Sequence, residues 1–332
     1  MDAVDEIQLA RLVAGVKLRF AEDARYSFER SLGMGAQGIC FKLKRNDLLS
    51  TDFTYVAVKI SFDMGELQRN EMLALHDLRG AEHIVKLLAI SNDPLAGAPH
   101  LTTNFTWLYM EWLPGGSLMD FIAKATAKEE PLPNRLLWRL FLCLTRIVIA
   151  LAWPGAHDPT INKLEQLQYV PSSLVYQNDD IQDGNLIFGA LPSQDTEHHL
   201  TPPLKMIDAG CIGIVRPEDP AEFKEAVKSM TDQVIDEIMT LLIAIGREDD
   251  DEYDDGTLDE ALRTLILGPR DEGVRDEDMD LPDLFNQIWL AVVQRDAAWY
   301  AENMGIEDGS EDDDKITGLI MELIMMPQLG AW

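Results

Sequence analysis

Residues 31–40 read SLGMGAQGIC, and within them Gly33, Gly35 and Gly38 form a G-x-G-x-x-G pattern. Glycine lets a chain turn tightly and brings its N–H groups against phosphate oxygens with no Cβ in the way. Taken alone, the pattern is that of an ordinary glycine-rich hairpin. The element after the glycines separates the nucleotide folds. A dinucleotide-binding βαβ unit needs a helix there, whereas Tyr26–Leu32 and Ile39–Lys44 alternate on either side as two short strands.

Outward from this hairpin, Leu9, Leu12, Val13, Val16 and Phe20 recur at helical spacing and predict an amphipathic opening helix over 5–20. Tyr55–Ile60 (YVAVKI) reads as a third strand, 64–79 as a helix, and Ile84–Ile90 and Trp107–Trp112 as two further strands. After Gly115 and Gly116 the texture turns helical, with Leu118–Thr126 and Leu136–Ala152 first. The polar stretch from Trp153 to Ser173 reads as an inserted loop. Leu186–Phe188 and Leu204–Ile207 read as short strands, and helices are expected near 220–246, 258–267, 282–302 and 316–326. The expectation is an α+β chain. A helical extension (1–25) precedes a small β-rich lobe (26–112) and a larger, mainly helical one (113–332).

Four further groups carry chemistry. Lys59 ends the apolar run Val56-Ala57-Val58-Lys59, where a buried ammonium without a partner would be costly. The next helix offers Glu66 and Glu71, and Glu71 shares a face with Leu75 and Leu78, which favours it as that partner. Leu108-Tyr109-Met110-Glu111-Trp112-Leu113 runs into a Pro-Gly-Gly breaker, a connector whose backbone at Glu111 and Leu113 can meet a planar heterocycle edge. From Asp180-Ile181-Gln182-Asp183-Gly184-Asn185 and Asp208-Ala209-Gly210, the residues Asp180, Asn185 and Asp208 supply two carboxylates and an amide. Phosphoryl transfer needs those groups: a carboxylate at the attacking hydroxyl and oxygen ligands for Mg²⁺. Each acid alone is more simply a solvated turn residue; the pieces count because they occur together and in order.

In that order they resemble the eukaryotic-type protein kinase domain, in a divergent, fungal-type form of the kinase-like superfamily, over roughly residues 26–245. The resemblance implies a two-lobed kinase-like fold with ATP and Mg²⁺ as cofactors. It places Gly33, Gly35 and Gly38 over the phosphates, and Lys59 on the α- and β-phosphates, paired to Glu71. Met110 stands at the gatekeeper position with Glu111–Leu113 as the adenine-binding hinge. Asp180 is the catalytic-loop base, Asn185 and Asp208 the metal ligands, and Asp232 the acid that opens the central helix of the large lobe.

The departures from the family pattern are equally specific. Asn178-Asp179-Asp180 stands where His-Arg-Asp is usual, so Asn178 puts the stability of that loop in doubt. Asp179 would repel an activation-loop phosphate, so activity is expected not to depend on phosphorylating Ser229 or Thr231. Gln182 replaces a γ-phosphate lysine, Ala209 replaces the phenylalanine of Asp-Phe-Gly, and no Ala-Pro-Glu comes after it. The expected activity is γ-phosphate transfer to a Ser or Thr hydroxyl of a protein. The alternatives are a small-molecule phosphotransferase of the aminoglycoside- and choline-kinase type, or a pseudokinase that binds ATP as a scaffold.

Charge narrows the partners. Twenty-eight basic against 58 acidic residues give −30 over 332 residues, most of it in the C-terminal quarter. Such a chain repels phosphate backbones and anionic lipid, which argues against nucleic-acid and membrane-surface roles. The runs Glu248–Asp255 and Glu311–Asp314 read as solvated surface, with a basic protein partner as the alternative. The first residues, MDAVDEIQ, are acidic where a signal peptide is basic, and a cytoplasmic or nuclear setting is expected. Cys40, Cys143 and Cys211 lack metal-ligand spacing and read as small buried hydrophobes in a reducing compartment. His198-His199 read as loop residues in preference to ligands. The apolar run Leu136–Trp153 carries Arg139 and Arg146 and reads as a buried helix of a soluble lobe.

Overall fold

A computed structural model describes residues 3–34, 38–46, 54–61, 66–88, 107–128, 130–155, 161–191, 197–245, 257–266 and 280–325. Over the described residues the chain is mixed α and β and mainly helical, with a small four-stranded antiparallel sheet. It divides into two compact units.

The first unit comprises Met1–Arg79, Val85–Trp112 and Ala209–Ile212. Its sheet is β1 (Tyr26–Met34), β2 (Gly38–Arg45), β3 (Tyr55–Ser61) and β4 (Trp107–Glu111), hydrogen-bonded in that order and antiparallel throughout. Period-two alternation sends Ile39, Phe41 and Leu43 of β2 and Val56, Val58 and Ile60 of β3 to one face. There they join Val16 and Phe20 of the helix α1 (Ala3–Ala21) in one buried cluster. Fully burying a side chain of this size contributes about 1.5–3 kcal/mol, so this face holds α1 to the sheet. The same alternation turns Lys59 away from Val58 to the opposite face. The helix α2 (Glu66–Asp77) buries Glu71, Ala74 and Leu75, with Leu78 just beyond its end.

The second unit comprises Gly80–Ile84, Leu113–Asp208 and Gly213–Trp332. It is built on α4 (Asn134–Ala152), every residue of which is buried. Arg139 and Arg146 are tolerated there because their guanidinium groups are spent on hydrogen bonds with Glu197 and, for Arg146, the Glu165 carbonyl. Among the described residues no helix is long and apolar enough to cross a membrane. Around α4 lie α3 (Leu118–Lys128), α5 (Pro220–Ala244), α6 (Glu260–Ile266), α7 (Leu281–Gln294), α8 (Ala297–Met304) and α9 (Asp313–Ile320). Two short strand pairs complete the unit: β5 (Val175–Asn178) with β8 (Ile212–Val215), and β6 (Leu186–Phe188) with β7 (Leu204–Met206).

Several expectations are corrected. Ile84–Ile90 forms no strand over its described part, only single bridges at Ile84 and Leu87; the Lys86 N–H donates to the Glu111 side chain instead of extending a ladder. The expected helix 282–302 is two helices, because Asp296 leaves the helical conformation and accepts from the Trp299 N–H at 2.8 Å, starting α8 afresh. The final helix begins earlier than expected, at Asp313, and passes into a wider turn over Met321–Met325. Not all of the run Glu311–Asp314 is solvated. Glu311 is 3% exposed, and its carboxylate accepts from the Asn134 N–H (2.7 Å) and the Arg135 N–H (3.1 Å). It thereby supplies the anion that Pro133 cannot at the positive end of α4. The run Glu248–Asp255 lies outside the described residues.

Candidate phosphotransfer residues

In the first unit the glycine hairpin is formed by β1 and β2, in a register that pairs Gly33 with Cys40 and Met34 with Ile39. Gly33 has φ 157°, and Gly38 is buried at the start of β2. Gly35 lies outside the described residues. Lys59 pairs across the sheet with Cys40 and Leu108. Its Nζ donates to Glu71 Oε1 at 2.6 Å, with both side chains almost fully buried. Met110 is buried on β4 opposite Ala57. Glu111 is braced twice by Lys86: its N–H donates to the Lys86 carbonyl (3.0 Å), and its carboxylate accepts from the Lys86 N–H (2.9 Å).

In the second unit the chain resumes at Leu113, itself buried. Gly115 comes two residues later, and its N–H donates to the Phe188 carbonyl at 3.0 Å. A Cβ at Gly115 would fall 2.5 Å from Phe188 Cβ, so only glycine permits this approach of connector to β6. Beyond β5 the loop 178–185 is organised by side-chain amides. Asn178 is fully buried; its Oδ1 accepts from the Asp180 N–H at 3.0 Å, and its Nδ2 reaches Met206 Sδ at 3.1 Å and the Asp208 carbonyl at 3.5 Å. Asn178, expected to weaken the loop, is thus the residue that ties Asp180 and Asp208 to a common support.

Asp180 is gripped at both oxygens. Its Oδ2 accepts from Asn185 Nδ2 (2.8 Å) and its Oδ1 from Gln182 Nε2 (2.6 Å). The Asn185 amide also donates to the Asp180 carbonyl at 3.1 Å, and the Ile207 N–H donates to the Asn185 carbonyl at 2.9 Å. With its NH₂ committed to Asp180, Asn185 has its Oδ1 turned the other way, as an oxygen donor of the hard type that Mg²⁺ takes.

Asp232 does not open the long helix. It lies inside α5 and pairs with Lys228 at 3.3 Å, while Asp219 caps the helix, accepting from the Ala221 and Glu222 N–H groups at 2.8 and 3.0 Å. The neighbour Gln233 holds the loop: its Oε1 accepts from the Ile181 N–H (3.1 Å) and its Nε2 donates to the Asn178 carbonyl (2.9 Å). Thr231 also lies within α5, and its hydroxyl donates to the Val227 carbonyl.

One more carboxyl of α5 bears on this loop. Burial, and next the charge of Asp183, push Glu237 up to about 7, and its Oε2 is buried with no hydrogen-bond partner. The folded chain therefore binds a proton here that the unfolded chain releases near 4.5. Stability from this group is present at low pH and is lost as pH rises through 7. Glu237→Gln is expected to raise the melting temperature at pH 8 and leave it nearly unchanged at pH 4.5. Equal shifts at the two pH values would contradict the assignment.

Sequence reasoning missed Gln233, because a glutamine inside an amphipathic helix carries no signal until its partner loop is known. It also missed a cluster at Cys143, His83 and His198, whose members are far apart in the chain. Cys211 is exposed and Cys40 partly so, which departs from the expected buried hydrophobes. Compared with protein-family models and with curated proteins, the chain matches none.

Proposed function

We propose that the chain is an ATP-dependent phosphotransferase of two-lobed, kinase-like architecture that moves the γ-phosphate to a hydroxyl, with Ser or Thr of a protein as the favoured acceptor. The observation that carries the reading is the buried Lys59–Glu71 pair. An ammonium is taken out of water on the sheet face opposite Val58 and is steadied by the Glu71 carboxylate. A charge pair so placed costs desolvation that apolar residues would not, which a use for the ammonium explains.

The residues fit the nucleotide and the metal in kind. The glycine hairpin offers backbone N–H groups and Lys59 a fixed cation for phosphate oxygens. Asn185 Oδ1 and the Asp208 carboxylate are the oxygen donors that would hold Mg²⁺. When bound, the metal neutralises charge on the phosphates. Asp180 does the rest of the local work. Held between two amide donors, its carboxylate is an acceptor fixed in direction, able to orient a hydroxyl and take up its hydrogen. Gln182, where the family pattern has a lysine, serves to aim Asp180.

A second reading has its own observation. Only Ala209–Asp219 separates Asp208 from α5, and β8 takes up part of that stretch, leaving little chain for a peptide platform. This favours a metabolite hydroxyl. Incubation with labelled ATP and Mg²⁺ separates the readings. Label on protein acceptors supports the first, and label only after a metabolite pool is added supports the second. No transfer to any acceptor, with ATP still bound, makes the chain a scaffold and overturns both.

A further inference from the structure

The second unit contains a cluster that phosphoryl transfer does not use. His83, Cys143 and His198 converge with their ligating atoms all within 4.8 Å of one another, and all three residues are buried. His83 Nε2 lies 3.2 Å from His198 Nε2, and Cys143 Sγ lies 3.4 Å from the same nitrogen. Two imidazole nitrogens and a thiol sulfur each carry a lone pair that a metal can take. They make a good coordination set. With Zn–N of about 2.0–2.1 Å and Zn–S of about 2.3 Å, a tetrahedral angle puts the N–N edge at roughly 3.3 Å and the N–S edge at roughly 3.5 Å. The two edges at His198 Nε2 fall just inside those values, and the third pair, His83 with Cys143, lies within 4.8 Å.

The surroundings are built to match. Glu165, fully buried, accepts from the His83 backbone N–H at Oε1 (2.8 Å) and meets His83 Nδ1 with Oε2 (2.7 Å). A carboxylate only accepts, so the proton is assigned to Nδ1 and the Nε2 lone pair faces Cys143 and His198; a carboxylate behind a histidine is how zinc ligands are commonly oriented. The His83 turn is held by main-chain bonds on both sides: the Lys163 N–H donates to Gly80 O (2.9 Å), the Glu82 N–H to Lys163 O (3.1 Å), and the Met206 N–H to His83 O (2.9 Å). On α4, Arg139, Cys143 and Arg146 fall on one face. Arg139 donates to the Glu197 carbonyl, next to His198, at 2.6 Å. Arg146 binds the Glu197 carboxylate through Nε at 3.1 Å and also donates to the Glu165 carbonyl. The two arginines that interrupt an apolar helix thus fix both segments that flank Cys143.

We infer that His83, Cys143 and His198 bind a zinc-type metal ion, with Glu165 positioning His83. Imidazole and thiolate select Zn²⁺ over Mg²⁺ or Ca²⁺. One thiolate and the Glu165 carboxylate balance its two positive charges, so the loaded site buries no net charge. The ion would clamp three distant segments of the second unit: α4, the turn at 80–84, and the chain before β7. The inference does not rest on the phosphotransfer reading.

The test uses the full chain, stripped with chelator and reloaded with Zn²⁺ or Co²⁺ alone. One Zn²⁺ per chain should survive dialysis, and Co²⁺ should give a thiolate-to-metal band in the near ultraviolet. Cys143→Ser should abolish that band, while Cys40→Ser and Cys211→Ser keep it. Glu165→Gln should weaken zinc about 10–100-fold in competition with a chromophoric chelator. A wild-type chain that retains no zinc, or a Co²⁺ complex without the thiolate band, overturns the inference. Zinc held equally well by Cys143→Ser also overturns it, since that is binding to the acidic surface. Should Cys143→Ser fail to fold, the wild-type Co²⁺ spectrum decides.

Discussion

Asp180→Asn is expected to lower phosphate transfer by about 10²–10⁴-fold, the usual share of a positioned acid–base group, and to leave Mg·ATP binding nearly unchanged. Asp180 accepts one amide donor at each oxygen, from Gln182 and from Asn185. Asparagine keeps one acceptor oxygen and puts an NH₂ against the other donor. It therefore loses both the hydrogen acceptor for the substrate hydroxyl and one of the two grips. Asn185 retains its bond to the residue-180 backbone carbonyl at 3.1 Å, so its amide keeps its orientation. The measurement is labelled-phosphate transfer beside a nucleotide titration. Transfer at the wild-type rate would remove Asp180 from the chemistry. Lost nucleotide binding would instead make it part of the loop's scaffold.

Glu71→Ala is expected to destabilise the first unit by about 3–5 kcal/mol, the cost of breaking a buried ion pair. Lys59 and Glu71 are 7% and 2% exposed at the side chain, and Nζ sits 2.6 Å from Oε1. Water cannot replace the lost carboxylate without opening the contact between α2 and β3. Replacing both residues by methionine removes the two charges together, so the double variant is expected to recover most of that loss. Denaturant unfolding of the wild type, Glu71→Ala and Lys59→Met/Glu71→Met measures it. A single variant within about 1 kcal/mol of wild type would mean that the ammonium finds water in the folded chain. The double variant also separates folding from use of the charge, because it should fold and yet ignore ATP.

The parts of the fold legible in the sequence obey local physics. Alternation through Ile39, Phe41, Leu43 and Val56, Val58, Ile60 fixes two strands and a common face. The run from Leu136 to Ala152 has no glycine or proline to break it, and it forms α4. Sharing a face with Leu75 and Leu78 favours Glu71 over Glu66, and Glu71 is the carboxylate that meets Lys59. The features that escape depend on partners far away in the chain. β5 and β8 are four residues each, too short to show a period. Glu311 looks like one acid in a solvated run until the N-terminus of α4 arrives to be capped. Gln233 and Asp232 are indistinguishable by periodicity. Cys143 and His198 are 55 residues apart and His83 and His198 are 115 apart, so no local ligand spacing could reveal them.

The most direct test of the phosphotransferase reading is the melting temperature of the full chain with and without Mg·ATP, run beside Lys59→Met. Ligand at about a hundred times its dissociation constant should stabilise the wild type by about 2.7 kcal/mol, a rise of several degrees, and should not shift Lys59→Met. A wild-type curve that Mg·ATP leaves in place would contradict the reading.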